Sequence, residues 1–124
     1  MAKRILIVDD EPNIVSSLEF LMKREGFEVQ VAVDGDAGLK AALASPPDLV
    51  LLDIMLPKMN GFEVCERLRA DPRCQGMKIV MLTAKGRQSD SARGMAAGAD
   101  LYVTKPFSTR ELVGQVKQLL GGRG

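Results

Sequence analysis

The sequence predicts a doubly wound α/β fold: a five-stranded parallel sheet in the order 2-1-3-4-5 with five flanking helices. Three observations predict it. Short apolar runs alternate with longer amphipathic segments along the whole chain. One run, Leu49-Val50-Leu51-Leu52, is apolar throughout, as a central strand buried on both faces must be. Gly, Pro, Ser and Asp fall between the segments, where helices start and stop. Strands alternating with helices form an open parallel sheet covered on both faces. Right-handed crossovers then make 2-1-3-4-5 the natural order.

Residues 3–8 are rich in Ile, Leu and Val and predict the first strand. Residues 11–25 predict a helix with Ile14, Leu18, Leu21 and Met22 on one face. Pro12 suits its first turn, where a missing N–H costs little, and Gly26 ends it. Residues 27–33 alternate as a second strand. Residues 36–44 form an alanine-rich helix stopped by Ser45-Pro46-Pro47. The third strand is 49–52, and 57–61 is a loop. A helix over 62–70 carries Val64, Cys65 and Leu68 on one side and breaks at Asp71-Pro72. The fourth strand is 77–82. A weaker helix over 88–97 holds Ala92, Ala96 and Ala97 around Met95. The fifth strand is 101–104. Ser108 caps a last helix whose Leu112, Val116, Leu119 and Leu120 share a face. No repeat or low-complexity segment interrupts the pattern, so residues 1–124 read as one domain, with 121–124 (Gly-Gly-Arg-Gly) a flexible tail.

Composition narrows the function. At 46% hydrophobic and 27% charged, the chain has the balance of a soluble globular protein and can build a core without metal or disulfide staples. A net charge of +1 gives no basic excess to argue for direct nucleic-acid binding. No apolar run is long enough to span a membrane and no secretory leader is evident, so a cytoplasmic location is expected. Cys65 and Cys74 are expected to be two reduced thiols. The chain has no His, which excludes Cys/His zinc sites and the commonest general base.

The strand order makes the carboxyl ends of the strands informative, because ligands of such sheets bind where the order reverses, here between strands 1 and 3. Strand 1 ends in Asp9-Asp10, followed by Glu11. Strand 3 ends in Asp53, strand 4 in Thr83-Ala84, and strand 5 in Lys105-Pro106. Singly, each has an ordinary explanation: Asp10 as a helix cap, Asp53 as a turn residue, Thr83 as a capping hydroxyl, Lys105 as a solvated charge. Together they place acids, a hydroxyl and an amine along one edge. Two carboxylates about 5 Å apart repel by on the order of 3 kcal/mol at an effective dielectric of about 20, so three need a cation. Oxygen ligands without His or Cys favour Mg²⁺, with Mn²⁺ as the alternative. Mg²⁺ typically takes one or two carboxylates plus a phosphate oxygen. Thr83 and Lys105 suit the other phosphoryl oxygens, by hydrogen bond and by charge. Asp53, the central carboxylate, is the natural nucleophile for in-line attack on phosphorus. Without His, the chain must receive its phosphoryl group from elsewhere.

These residues resemble the receiver domain of two-component response regulators, of the single-domain, chemotaxis-regulator-like kind. The similarity runs over about residues 3–120. It is carried by Ile-Leu-Ile-Val-Asp-Asp-Glu-Pro (5–12), Asp-Leu-Val-Leu-Leu-Asp-Ile-Met-Leu-Pro (48–57), Asn-Gly (60–61), Val-Met-Leu-Thr-Ala (80–84), Gly-Ala-Asp (98–100) and Tyr-Val-Thr-Lys-Pro-Phe (102–107). The resemblance implies a flavodoxin-like fold and a phosphorelay signalling protein that catalyses only its own phosphorylation and dephosphorylation. It implies Asp53 as phosphoacceptor, Asp10 as a direct Mg²⁺ ligand, Asp9 acting through water, and the Met55 backbone carbonyl as a further ligand. It implies that Thr83, the Ala84 N–H and Lys105 bind the phosphoryl group, and that the Lys105–Pro106 bond is cis. Thr83 and Tyr102 would form the switch, remodelling the face of the fourth helix, fifth strand and fifth helix; Tyr102 reads equally as an ordinary half-buried aromatic. Gly94, Ala96, Ala97 and Gly98 fit a fourth helix able to shift, or simply a poor helix. Met55 and Lys85 flank the site. The implied partners are a histidine kinase or histidine phosphotransfer protein and a downstream protein or output domain.

Two other readings fit the fold class less well. A flavodoxin-like FMN protein needs a phosphate loop after strand 1, where Asp9, Asp10 and Glu11 would repel phosphate. A Mg²⁺-dependent phosphatase with an aspartate nucleophile usually carries an acid two residues later, where this chain has Met55. The tail suits either a stand-alone regulator, the reading preferred, or a receiver cut from an output domain.

Overall fold

A computed structural model describes residues 2–84, 93 and 95–121. Lys85, most of the expected fourth helix (88–92 and Gly94) and residues 122–124 lie outside the described residues. The strands are β1 (Arg4–Val8), β2 (Glu28–Ala32), β3 (Leu49–Asp53), β4 (Lys78–Ala84) and β5 (Leu101–Lys105). The helices are α1 (Pro12–Arg24), α2 (Gly35–Ala44), α3 (Gly61–Ala70) and α5 (Thr109–Leu119). Residues 95–97 are helical and are termed α4. All strand pairs are parallel, in the expected order β2-β1-β3-β4-β5.

Strand alternation sorts the core into two layers. Leu6, Val8, Val50, Leu52, Ile79 and Met81 face α2 and α3, where they pack on Leu39, Val64 and Leu68. Ile5, Ile7, Leu49, Leu51, Val80 and Leu82 face the other way, against Leu18 and Met22 of α1 and Leu112 and Val116 of α5. Every residue of β3 is buried, as its unbroken apolar run requires. Among the described residues no helix is long and apolar enough to cross a membrane.

The helix boundaries follow their caps. Asp34 accepts a hydrogen bond from the Ala37 N–H, so α2 starts one residue earlier than its hydrophobic pattern indicates. Asn60 does the same for Glu63 and brings Gly61 into α3. Ser108 caps α5 through the Glu111 N–H, as expected. Gly26, at φ +92°, closes α1. Cys65 and Cys74 are both free and buried.

The apolar runs 49–52, 77–82 and 101–104 stop short of the strand ends, where Asp53, Thr83-Ala84 and Lys105 stand as the sequence places them. β3 runs on to Asp53, β4 to Ala84 and β5 to Lys105. The ladder pairs Asp53 with Leu82, Thr83 with Thr104, and Ala84 with Lys105. These polar residues are the last rungs of the sheet rather than loop residues. Polar side chains end the apolar runs but not the ladders, because each backbone finds its ladder partner whatever its side chain.

An arginine ties the lower layer together. Arg69 of α3 donates to the carbonyls of Gly98 (2.8 Å), Cys74 (3.2 Å) and Met77 (2.6 Å) and to the Asp100 carboxylate (2.6 Å). Asp100 also accepts the Ile79 N–H at 2.8 Å. The end of α3, the 3-10 turn at Pro72–Cys74, the end of α4 and the starts of β4 and β5 thus meet on one side chain.

Candidate phosphoacceptor site

β1 delivers Asp9 to the top of the sheet, where the Asp9 N–H still bonds the Ala32 carbonyl at 3.1 Å. The Asp9 side chain is fully buried and both its oxygens are used. One accepts the Glu11 N–H at 2.9 Å and the other the Lys105 ammonium at 3.0 Å. Asp10 is exposed. The capping explanation of Asp10 does not hold: Glu11 occupies the cap position without a side-chain cap bond, and Asp9 takes the local N–H. Pro12 at the first helical position leaves one fewer donor to satisfy.

β3 delivers Asp53, 4% exposed, which disposes of the turn-residue explanation. Oxygens of Asp9, Asp10 and Asp53 all lie within 4.8 Å of one another. Lys105 Nζ stands 3.6 Å from Asp53. Burial and the neighbouring Asp9 charge raise the Asp53 carboxyl to about 6, against the pull of Lys105 and of the Met55 N–H, with Asp10 adding a small upward push. Burial would draw the Lys105 ammonium down, but its hydrogen bonds to Glu11 and Asp9 and the Asp53 charge hold it above the ordinary lysine value.

The loop after Asp53 is tightly bonded. Ile54 O accepts from Leu56 and Gly61, and Pro57 O from Met59 and from Gly35 of α2. Between them the Met55 carbonyl accepts no hydrogen bond among the described residues, and the Met55 side chain is exposed. Gly61 lies directly against the Asp53 backbone: a Cβ there would stand 2.8 Å from the Ile54 Cα. β4 delivers Thr83, 1% exposed, whose Oγ1 has no hydrogen-bond partner among the described residues. The Lys105–Pro106 bond is cis, as the resemblance implied. Tyr102 is half-buried and packs against the α2–α3 side of the core.

Three carboxylates with clustered oxygens fit a hard divalent cation, and the cluster found among the described residues contains neither His nor Cys. Thr83, on β4 one residue past Leu82, the ladder partner of Asp53, has a buried hydroxyl without a partner among the described residues, which fits an oxygen-rich group at this edge of the sheet. The structure also brings in Glu11, whose Oε1 is 2.9 Å from Lys105 Nζ. The sequence reading noted this acid beside Asp9-Asp10 but gave it no role. Nothing in its local pattern distinguishes it from a solvated first-turn glutamate.

The chain matches the model of the response regulator receiver domain family over residues 5–117. It is 48% identical over 120 residues to the alkaline phosphatase synthesis transcriptional regulatory protein PhoP of Bacillus subtilis, a match covering 97% of this chain and 49% of that protein. The chain spans about half the length of the curated relatives it matches. Its structure resembles a CheY-like response regulator receiver domain protein from Methanospirillum hungatei, with a TM-score of 0.89 and 37% identity over 98% of this chain and 95% of that one. It also resembles the receiver domain of the sensor histidine kinase PA1611 from Pseudomonas aeruginosa, solved with a magnesium ion in its active-site cleft. That match has a TM-score of 0.90 and 28% identity, over 98% of this chain and 99% of the other.

Proposed function

Because the chain belongs to the family of response regulator receiver domains, we propose that Asp53 is its phosphoacceptor and that residues 1–124 act as one phosphorylatable signalling unit. The observation that carries the assignment is the placement of Asp53: buried, 3.6 Å from Lys105 and within 4.8 Å of two further carboxylates.

An Asp53 oxygen attacks the phosphorus of a donor in line. A carboxylate–phosphorus bond forms, and the donor's bond to phosphorus breaks with its electron pair leaving on the donor. Asp10, Asp53 and the Met55 carbonyl would hold Mg²⁺, or Mn²⁺ in its place, with Asp9 acting through water, to supply positive charge against the carboxylates and the phosphoryl oxygens. The Thr83 hydroxyl and the Ala84 N–H donate to phosphoryl oxygens, and Lys105 pairs with another. Thr83 then moves toward the phosphoryl group, and Tyr102 turns inward behind it. The face formed by α4, β5 and α5 changes for a downstream protein or output domain. Residues 1–124 contain no His, so the phosphoryl group comes from outside this stretch; we assign the donor as a histidine kinase or histidine phosphotransfer protein, and we place the exchange in the cytoplasm.

The phosphatase alternative has no support. The matched family is that of receivers, and Met55 stands where such an enzyme would carry its acid.

Incubation with acetyl phosphate and Mg²⁺ should add one phosphoryl group by mass spectrometry. Asp53→Asn and excess chelator should each abolish the addition. Undiminished labelling of the Asp53→Asn protein would overturn the assignment.

A further inference from the structure

Glu11 has no part in the proposed phosphoryl transfer, yet among the described residues it makes the shortest ion pair to Lys105. Its Oε1 lies 2.9 Å from Lys105 Nζ, against 3.0 Å for Asp9 and 3.6 Å for Asp53. Two of the three ammonium donors are therefore committed to Asp9 and Glu11. At 3.6 Å the Asp53 contact is an ion pair without a hydrogen bond. The two hydrogen-bonded carboxylates differ in what they lose if the ammonium moves. The Asp9 side chain is 0% exposed, so Asp9 depends on a cation. The Glu11 side chain is 60% exposed and can exchange the ammonium for water. Its backbone is well held, with its N–H on Asp9 at 2.9 Å and its carbonyl accepting the Val15 N–H at 3.0 Å. The reach of its side chain to Lys105 is thereby built into the start of α1.

We propose that Glu11 is a positioning residue that holds the Lys105 ammonium in its resting place and competes for it with the phosphoryl group on Asp53. The inference rests on the assignment of Asp53 and Lys105 above and adds a setting of the balance between resting and phosphorylated states. A contact present in only one of two states shifts the equilibrium toward that state by its own worth. The Glu11–Lys105 pair is made in the resting state and, on this proposal, loosens when the ammonium turns from Glu11 toward a phosphoryl oxygen. Glu11 thus opposes capture of the phosphoryl group, although a Mg²⁺ site and a phosphoacceptor can be assembled without it.

The test is the affinity of the unphosphorylated protein for beryllium fluoride, a phosphoryl mimic, in saturating Mg²⁺, followed by titration calorimetry. Glu11→Gln, which removes the charge, should tighten binding about two- to fivefold, the range for one partly exposed ion pair. Glu11→Asp keeps the charge but shortens the reach by one methylene, so it should tighten binding as well. Urea denaturation of each variant checks that the fold is retained. Unchanged or weaker binding in Glu11→Gln would overturn the proposal. So would a Glu11→Asp protein that binds as the wild type does, because the effect of Glu11 would then be one of overall charge. If the wild-type protein takes up neither beryllium fluoride nor a phosphoryl group on Asp53, the underlying assignment fails with it. Failure of the Glu11 variants alone leaves that assignment standing.

Discussion

The ammonium of Lys105 lies 3.6 Å from the carboxylate of Asp53, beyond hydrogen-bond distance, and leaves that buried acid only partly compensated. The Asp53 carboxyl is raised from 3.8 to about 6, by burial first and by Asp9 second. Between those values the folded chain binds more protons than the unfolded one, so this group makes stability fall as pH rises through the window from 3.8 to 6. Raising the carboxyl from 3.8 to about 6 corresponds to about 3 kcal/mol. In chelator above pH 7, Asp53→Asn should therefore be more stable than wild type by about 2–3 kcal/mol in urea denaturation, an advantage that disappears below pH 4. Equal stability at both pH values would contradict the strain assigned to Asp53.

The same strain is what a divalent cation relieves. Mg²⁺ at ten times its dissociation constant should stabilise the wild-type protein by about 1.4 kcal/mol, read as a rise in melting temperature. Asp10→Asn and Asp53→Asn should each lose most of that gain. A variant that keeps the full Mg²⁺ response would place the cation elsewhere.

Gly61 is required by space rather than by backbone angle. A Cβ on it would stand 2.8 Å from the Ile54 Cα and press on the Asp53 peptide. Gly61→Ala should slow acetyl phosphate labelling by about 10- to 100-fold, since displacements near 1 Å at a reacting group cost that much. Gly114→Ala is the control: it lies inside α5 with nothing within 4 Å of the added Cβ. It should add about 1 kcal/mol of stability and leave labelling as it was.

Arg69 gathers three carbonyls and Asp100 on one guanidinium. Arg69→Ala should cost on the order of 2–4 kcal/mol, because the partly buried carbonyls and the Asp100 carboxylate lose their donors together. Arg69→Lys should recover only part of this, as one ammonium cannot span the fork. Urea denaturation at neutral pH gives both values.

Much of this architecture was legible in the residues. The solid run at 49–52 marked the central strand, and the spacing of Leu18, Leu21 and Met22 marked the buried face of α1. The apolar runs stop two residues short of the end of β4 and one short at β3 and β5, because Asp53, Thr83 and Lys105 carry loop-like or charged side chains on ladder backbones. Arg69 and Asp100 drew no notice as partners, although Gly-Ala-Asp had been marked as a motif. The two stand 31 positions apart in the chain.

By itself the sequence determined which of the described strands and helices form, the order of the strands in the sheet, and which polar residues reach its upper edge. Periodicity and chain connectivity decide these, and both are written along the chain. Only the tertiary structure decided how charge is shared there: that Asp9 is buried while Asp10 is exposed, that Thr83 Oγ1 lacks a partner among the described residues, and that Glu11 rather than Asp53 holds Lys105. Those outcomes depend on distances of a few tenths of an ångström between side chains from different strands, and no spacing in the sequence encodes them.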